Sequence, residues 1–360
     1  MSSFVYAHEN IKTINKWQKA LKIKGLKEAI LIPATIKDIA KACGTSEGTV
    51  DRALNNRGGI KKETKEKILQ VAKELDYRPN HLASCLAKGS TKTIGVVCAG
   101  LRNAFFSSLV EEIERTAHEN GYFITLILTY NSRDKELEGI RFLAERQVDG
   151  IIIFPIGQGP ELEKELLKTK LPIVTVYNRI SEKFVHVDVD CRQIMKDAVS
   201  KIKAKGYQRV VYMDPFFDRE ELMWQNRYSL NQRRQGYLDG IKEEGLGEPV
   251  IFTEYEMQTI RKILDAEAGK TAILCPFDNV AIRLLHMLKD DGIRVPLDVG
   301  IMGFDNVPML EHITPKICSV DCGIQDLGRR AFQVLLQLIE GKTDICNCVT
   351  GYTFTEGESL

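Results

Sequence analysis

Apolar residues keep a helical period near the start of this chain and gather into short unbroken runs from Thr93 onward. In TIKDIAKACGTSEGTVDRALNN (Thr35 to Asn56), Ile36, Ile39, Ala40 and Cys43 fall at i, i+3, i+4 and i+7, one face of a helix. Gly44 supplies the backbone freedom of a tight interhelical turn, since it takes positive φ without a Cβ clash. Ser46 predicts an N-cap for a second helix. Its Val50, Ala53 and Leu54 face inward, and Glu47, Gly48, Thr49, Asp51 and Arg52 face out. A third helix is predicted from about Glu63 to Leu75, with Ile68, Val71, Ala72 and Leu75 as its apolar stripe. The set reads as a helix-turn-helix with a supporting helix, or as a plain three-helix packing unit. Pro79 stops the third helix, and Asn80 can cap a short one carrying Leu82, Ala83, Leu86 and Ala87. A helix of about eight residues does not hold alone in water. This piece and the KGSTKT after it therefore form a linker that folds only against something else.

Beyond the linker, β-rich runs alternate with amphipathic helices, the pattern of an α/β fold with parallel strands. The strand candidates are 93–98, 123–128, 150–154, 172–177, 209–213, 249–253, 272–275 and 300–304, with helices such as 107–120 and 278–290 between them. Ligands of such folds sit beyond the carboxyl ends of the strands, so the residues after each run carry the candidate chemistry. Asn103 with Phe105 and Phe106 follows the first strand, Arg233 opens a helix in RRQGY, and Asp278 and Asp305 come directly after strands. An amide, a guanidinium, carboxylates and ring faces together suit a polyhydroxylated ligand. Singly, each reads as a helix cap or a surface charge, Asp278 above all. No nucleophile–base pair, metal triad or glycine-rich phosphate loop occurs in the pattern, so no catalytic residue, metal or cofactor is expected.

The formal net charge of +1 conceals a partition: residues 1–33 carry +4, residues 34–93 carry +5 and the remainder −8. A basic front on an acidic body points to a polyanion partner for the front alone. The nine cysteines include no C-x-x-C pair and read as reduced thiols of a cytoplasmic protein. Cys318/Cys322 and Cys346/Cys348 lack further ligands at metal spacing, so they read as small buried residues on strands. No apolar run of about 18 residues and no N-terminal apolar core of a signal peptide occurs, so neither a membrane span nor secretion is expected.

The stretches TIKDIAKACGTSEGTVDRALNN, KKETKEKILQVAKELDYRPN and LASCLAKGSTKTIGVV resemble the opening of the lactose/galactose repressor (LacI/GalR) family, and a looser likeness continues to the C-terminus. The resemblance implies that the helix 46–54 enters the major groove and that 80–87 is a hinge helix whose Leu86 wedges into a minor-groove step. It makes Thr35, Ser46, Gly48, Asn55 and Asn80 DNA contacts, with Arg52 and the lysines near the third helix on phosphates and Glu47 and Thr49 at base edges. The family usually has Ser in place of Asp51 and a larger side chain in place of Gly48. Direct readout from Gly48 is then lost, and Asp51 repels phosphate or accepts from a cytosine amine. The body is similar to periplasmic sugar-binding proteins of type I fold, two lobes closing on a ligand. Asn103, Phe105, Phe106, Arg233 and Asp305 match sugar-contacting positions of that group. The chain departs from it with Phe154 and Phe277 where Asn is common, Tyr177 where Asp is common and Cys322 where Gln is common. These departures make the pocket more aromatic and less polar than a free-pentose site. The segment 214–229, which carries Trp224, is also longer than usual.

The expected fold is thus an N-terminal all-α helix-turn-helix domain with a hinge helix, followed by a two-lobed α/β periplasmic-binding-protein-like domain with parallel sheets. The boundaries are 1–33 for an extension, 34–79 for the DNA-binding domain, 80–92 for the hinge and linker, and 93–360 for the effector domain. The expected function is a repressor that binds a pseudo-palindromic operator as a homodimer, under control of a sugar, cyclitol or glycoside in the interlobe cleft. Arg233 and Asp305 are expected on opposite lobes, and Asp278 lines the same cleft. A transport protein would need a signal peptide and no DNA-binding front, and an α/β enzyme would need a catalytic constellation. GYTFTEGESL carries no heptad tail, so a dimer is expected rather than a tetramer. Residues 1–33 precede the family's usual start and are read as a mis-assigned start, with Leu31 as a UUG initiation site, in preference to a basic helix lying on DNA or protein.

Overall fold

The computed structural model describes residues 34–77, 89–215, 224–265 and 269–360, in two compact units that part between Ala87 and Lys88. The expected extension 1–33 and the hinge segment with Asn80 and Leu86 lie outside the described residues.

The first unit holds helices α1 (Ile36–Cys43), α2 (Glu47–Leu54) and α3 (Lys62–Glu74). Thr35 starts α1 with a reciprocal cap. Its hydroxyl accepts from the Asp38 backbone N–H, and the Asp38 carboxylate accepts from the Thr35 N–H at 2.9 Å. Gly44 ends α1 in the left-handed region at φ 66°, where a Cβ would strain the backbone. Ser46 caps α2 by accepting from the Thr49 N–H at 3.2 Å. The periodic residues Ile39, Ala40, Val50, Ala53, Ile68 and Ala72 meet in one core. Leu75 does not join it. It lies at the C-cap of α3, past the last helical turn, and is 41% exposed.

The second unit is built on two six-stranded sheets. The first contains β1 (Thr93–Cys98), β2 (Phe123–Leu128), β3 (Gly150–Ile153), β4 (Ile173–Val176), β5 (Val185–Val189) and β11 (Cys348–Thr350), in the order β11-β5-β4-β3-β1-β2, all parallel. The second contains β6 (Arg209–Met213), β7 (Val250–Phe252), β8 (Thr271–Leu274), β9 (Gly300–Phe304), β10 (Cys318–Asp321) and β12 (Thr353–Thr355). Its order is β12-β10-β9-β8-β6-β7, parallel except for β12 against β10. Each predicted strand is present with its ends within about a residue, and β5 and β12 are additional. Of the cysteines read as buried strand residues, Cys318 and Cys348 lie on β10 and β11. Cys322 is buried just past β10, whereas Cys348 is only half-buried and Cys346 is exposed outside any strand.

Helices α4 (Ala104–Glu119), α5 (Arg133–Glu145), α6 (Pro160–Thr169) and α11 (Ile324–Ile339) belong to the first lobe, where α11 packs on α4 and across β3, β4 and β5. Helices α7 (Cys191–Ala204), α8 (Tyr228–Glu244), α9 (Met257–Asp265) and α10 (Asp278–Asp290) belong to the second. There α7 and α8 lie against each other closely enough that a Cβ on Gly236 would collide with the Arg192 carbonyl. The chain passes between the lobes at Asp190, at Cys322–Gly323 and at Gly351–Tyr352. Strand order reverses between β1 and β3 in one sheet and between β6 and β8 in the other, so the loops after these strands border the crevice where such folds bind ligands.

Candidate DNA-contacting face and ligand cleft

The outer face of α2 is polar throughout. Ser46, Glu47, Gly48, Arg52 and Asn55 are exposed and Thr49 is half-buried, its hydroxyl 2.9 Å from that of Ser46. Asp51 is not a free carboxylate: it accepts from Asn55 Nδ2 at 2.8 Å and lies 3.4 Å from the Arg57 guanidinium. That partner offsets part of the repulsion toward phosphate expected of Asp51. Thr35 stays exposed beside its cap partner, and Lys67 of α3 donates to the Cys43 carbonyl at 3.3 Å. The unit thus presents a helix with an apolar inner face, a hydrogen-bonding outer face and cations at its margin, a shape that fits a major groove.

In the second unit Arg233 lies well inside α8 and is 1% exposed, not at the opening of the helix as the sequence suggested. It shares the second lobe with Asp305, which follows β9, so the two are not on opposite lobes. Sequence order does not reveal which sheet a helix covers, and α8 packs beside α7 and β6. One guanidinium nitrogen donates to the Pro276 carbonyl and another lies 3.7 Å from the Asp305 carboxylate. The guanidinium carbon stands 3.6 Å from the Phe304 ring centre and 4.8 Å from that of Phe277, with Tyr177 at 5.7 Å. Arg233 Nε is buried without a hydrogen-bond partner, as are the hydroxyls of Tyr177 and Tyr212. Burial pushes the Asp305 carboxyl well above its usual range, and Arg233 draws it only part of the way back. Asp305 holds φ 110°, a conformation that is strained for a residue with a Cβ and that recurs at functional positions.

The first lobe contributes a layer of rings. Phe105 meets Tyr177 edge to face at 4.7 Å and Phe106 at 5.3 Å, and Phe106 meets Phe154 at 5.7 Å. Asn103 caps α4, its side-chain oxygen accepting from the Phe105 N–H at 3.1 Å. Cys322 is fully buried at a lobe crossover, and burial raises its thiol far above the ordinary range. Asp278 is the outlier of the set. Its two oxygens accept from the Val307 N–H at 2.8 Å and the Ser319 hydroxyl at 2.6 Å, so it ties the second lobe together. Nor does it cap α10, whose N-cap is Phe277. Burial pushes the Asp278 carboxyl up to about 7.

Several polar residues at the cleft were not singled out from the sequence. His186 and Asp188 are buried on β5, with His186 Nδ1 3.0 Å from the Thr175 hydroxyl and Nε2 3.3 Å from Asp188. Asn178, two residues past β4, and Asn226, just before α8, bond to one another across the lobes. The strand-end rule reaches Asn178, whereas Asn226 precedes a helix and carries no comparable signal. Among the described residues no group of three or more His, Cys, Asp and Glu could hold a metal, and no helix is long and apolar enough to cross a membrane.

Comparison with known proteins bears on both units. Residues 35–80 match the family described as bacterial regulatory proteins, lacI family, and residues 199–360 match a periplasmic binding protein-like domain. The chain is 30% identical over 345 residues to the HTH-type transcriptional regulator RegA of Clostridium acetobutylicum, covering 91% of this chain and 99% of that protein. It is 28% identical over 317 residues to catabolite control protein A of Priestia megaterium, covering 86% and 93%. Among solved structures it is similar to the lac repressor dimer bound to operator and the anti-inducer ONPF, with TM-score 0.76 and 20% identity over 91% of this chain and 99% of that one. The transcriptional regulator CelR in complex with cellobiose gives TM-score 0.64 and 22% identity, covering 91% and 100%.

Proposed function

The chain belongs to the lacI family of bacterial regulatory proteins, DNA-binding regulators of transcription, and we propose that it represses its targets under control of a sugar-type effector held between the lobes of its second unit. The observation that carries the effector reading is the buried Arg233–Asp305 pair. A guanidinium with an unpartnered Nε and a carboxylate whose nearest cation stands 3.7 Å away offer a donor and an acceptor in one dry site. Ring faces of Phe277 and Phe304 surround that pair, and Phe105, Phe106, Phe154 and Tyr177 line the first lobe opposite. Such walls suit the apolar face of a hexose, a cyclitol or a small glycoside better than an acyclic polyol. Cellobiose in the CelR complex is a ligand of this kind. Asp278 does not enter this reading as a primary contact, because both its oxygens are already engaged, while Asn103 commits its side-chain oxygen to the α4 cap and leaves its NH2 to donate.

On the DNA side, Glu47 and Thr49 meet base edges, Arg52 holds phosphate, and Thr35, Ser46 and Asn55 complete the contact surface. The family likeness gives 80–92 the role of hinge, with Asn80 at its start and Leu86 in the minor groove, between a DNA-binding domain 34–79 and an effector domain 93–360. The protein acts as a homodimer on operators in the cytoplasm and catalyses no reaction. A thermal-shift screen of monosaccharides, cyclitols and glycosides tests the effector assignment. Truncating a buried charged hydrogen-bond partner costs about 2–3 kcal/mol, so Arg233→Ala weakens the best hit roughly a hundredfold. Equal binding to parent and variant would place the effector elsewhere.

A further inference from the structure

The second unit is joined across its cleft by a cluster of uncharged polar groups. The segment just before α8 belongs to the second lobe, and the loops after β3 and β4 belong to the first. Asn226 donates its backbone N–H to the Ile156 carbonyl at 2.7 Å and its side-chain amide to the Arg179 carbonyl at 2.7 Å. Its own carbonyl accepts from Asn178 Nδ2 at 3.1 Å. The Asn178 side-chain oxygen in turn accepts from the Ser229 N–H at 3.1 Å and from the Ser229 hydroxyl at 3.0 Å. An isolated β-bridge between Gly157 and Gln225 extends the seam by one residue. The Tyr228 ring, on the second lobe, meets first-lobe side chains on two sides, with Arg179 at 5.3 Å and His186 at 6.0 Å.

Both halves of this seam are braced from behind. On the first lobe, the Glu136 carboxylate is buried on α5 and accepts from the Ile156 N–H at 2.8 Å and the Gly157 N–H at 3.0 Å. It fixes the loop whose Ile156 carbonyl receives Asn226. A Cβ on Gly157 would stand 2.8 Å from that carboxylate and displace it. On the second lobe, the Asn226 side-chain oxygen accepts from the Tyr228 N–H at 3.1 Å, so Asn226 also organises the first turn of α8, the helix that carries Arg233.

We propose that Asn226 and Asn178 form a catch that holds the two lobes closed and sets the position of α8, and through it Arg233, against the first lobe. An asparagine side chain donates and accepts at once, so two facing asparagines can bridge loops on opposite lobes without leaving a buried charge behind. Opening the cleft exchanges these bonds for bonds to water at a modest net cost per bond, enough to favour closure yet small enough for a joint that must open and shut. Asn226 and Asn178 are positioning residues: they act on the effector by fixing where Arg233 stands. This role goes beyond the effector assignment, and its test requires no effector.

Thiol accessibility in the full-length protein reads closure directly. Cys322 sits at a crossover beneath Tyr177 of the first lobe, and Cys191 lies at another crossover beside Arg233; both are buried. Cys318 is equally buried, but it lies at the amino end of β10, away from the cleft. Labelling with N-ethylmaleimide, followed residue by residue by mass spectrometry, is compared among the parent, Asn226→Ala and Asn178→Ala. Losing roughly one net hydrogen bond of the catch raises labelling of Cys322 and Cys191 about tenfold in either variant, with Cys318 unchanged. Unchanged labelling of Cys322 and Cys191 in both variants would overturn the proposal. So would an equal rise at Cys318 in both, since the asparagines would then support the fold of a lobe and not its closure. A sugar screen that failed while Cys322 labelling rose would overturn the effector reading and leave the catch standing.

Discussion

Two buried carboxylic acids of the second unit, Glu136 and Asp278, do their work by accepting hydrogen bonds from backbone and hydroxyl groups inside one lobe. Burial is the largest influence on each and pushes both up to about 7, against the downward pull of the donors. In the unfolded chain a glutamic acid titrates near about 4.3, so folded Glu136 binds its proton more tightly than the unfolded form. Its contribution to stability is full below the unfolded value and is lost as pH rises through about 7. Glu136→Gln, uncharged at every pH, removes that dependence. Between pH 5 and pH 8 the parent's thermal midpoint should therefore fall roughly 3 °C further than that of Glu136→Gln. Parallel profiles would mean that Glu136 stays ionised when folded. Neither acid advertises this role in sequence. Asp278 follows a strand just as Asp305 does, and both are buried, so only the placement of Val307 and Ser319 marks Asp278 as an internal tie. Asp305 and the rings of Phe154, Tyr177 and Phe277 come just after strands, a position the sequence can mark, whereas Arg233 lies inside α8 and no strand end marks it.

At the scale of elements, the helix-turn-helix was the most readable part, since each boundary has a local chemical cause: Thr35 and Ser46 at the starts of α1 and α2, Gly44 at the end of α1. The strands that escaped notice have equally local reasons. His186 and Asp188 interrupt the apolar run of β5, and β12 is a three-residue edge. The placement of α8 depends on tertiary packing alone, so sequence order cannot show that Arg233 and Asp305 share a lobe. For α2 the account makes a sharp demand. Arg52 is exposed on the last turn of α2, and the proposed role for it is a phosphate contact. Replacing Arg52 with Ala should weaken operator and random-sequence DNA alike, by several-fold each at moderate salt, and reduce the salt dependence by about one counterion. A loss confined to the operator, measured by fluorescence anisotropy, would instead make Arg52 a base reader.

At the largest scale, the second unit is two sheets joined by three crossovers, with rings packed around Arg233 between the lobes and hydrogen bonds joining loops of opposite lobes. A ligand shifts such a joint only as far as it binds one arrangement better than another, and reciprocity then ties effector affinity to DNA affinity. The central claim, that a sugar-type molecule at Arg233 governs DNA binding, is tested most directly by titrating operator with full-length protein in the presence and absence of the best compound from the thermal-shift screen. The account predicts that the compound moves the parent's operator affinity by about tenfold or more. Arg233→Ala should bind operator as the parent does and show no such response. A variant that responds as fully as the parent, or a parent whose operator affinity no bound sugar alters, would contradict it.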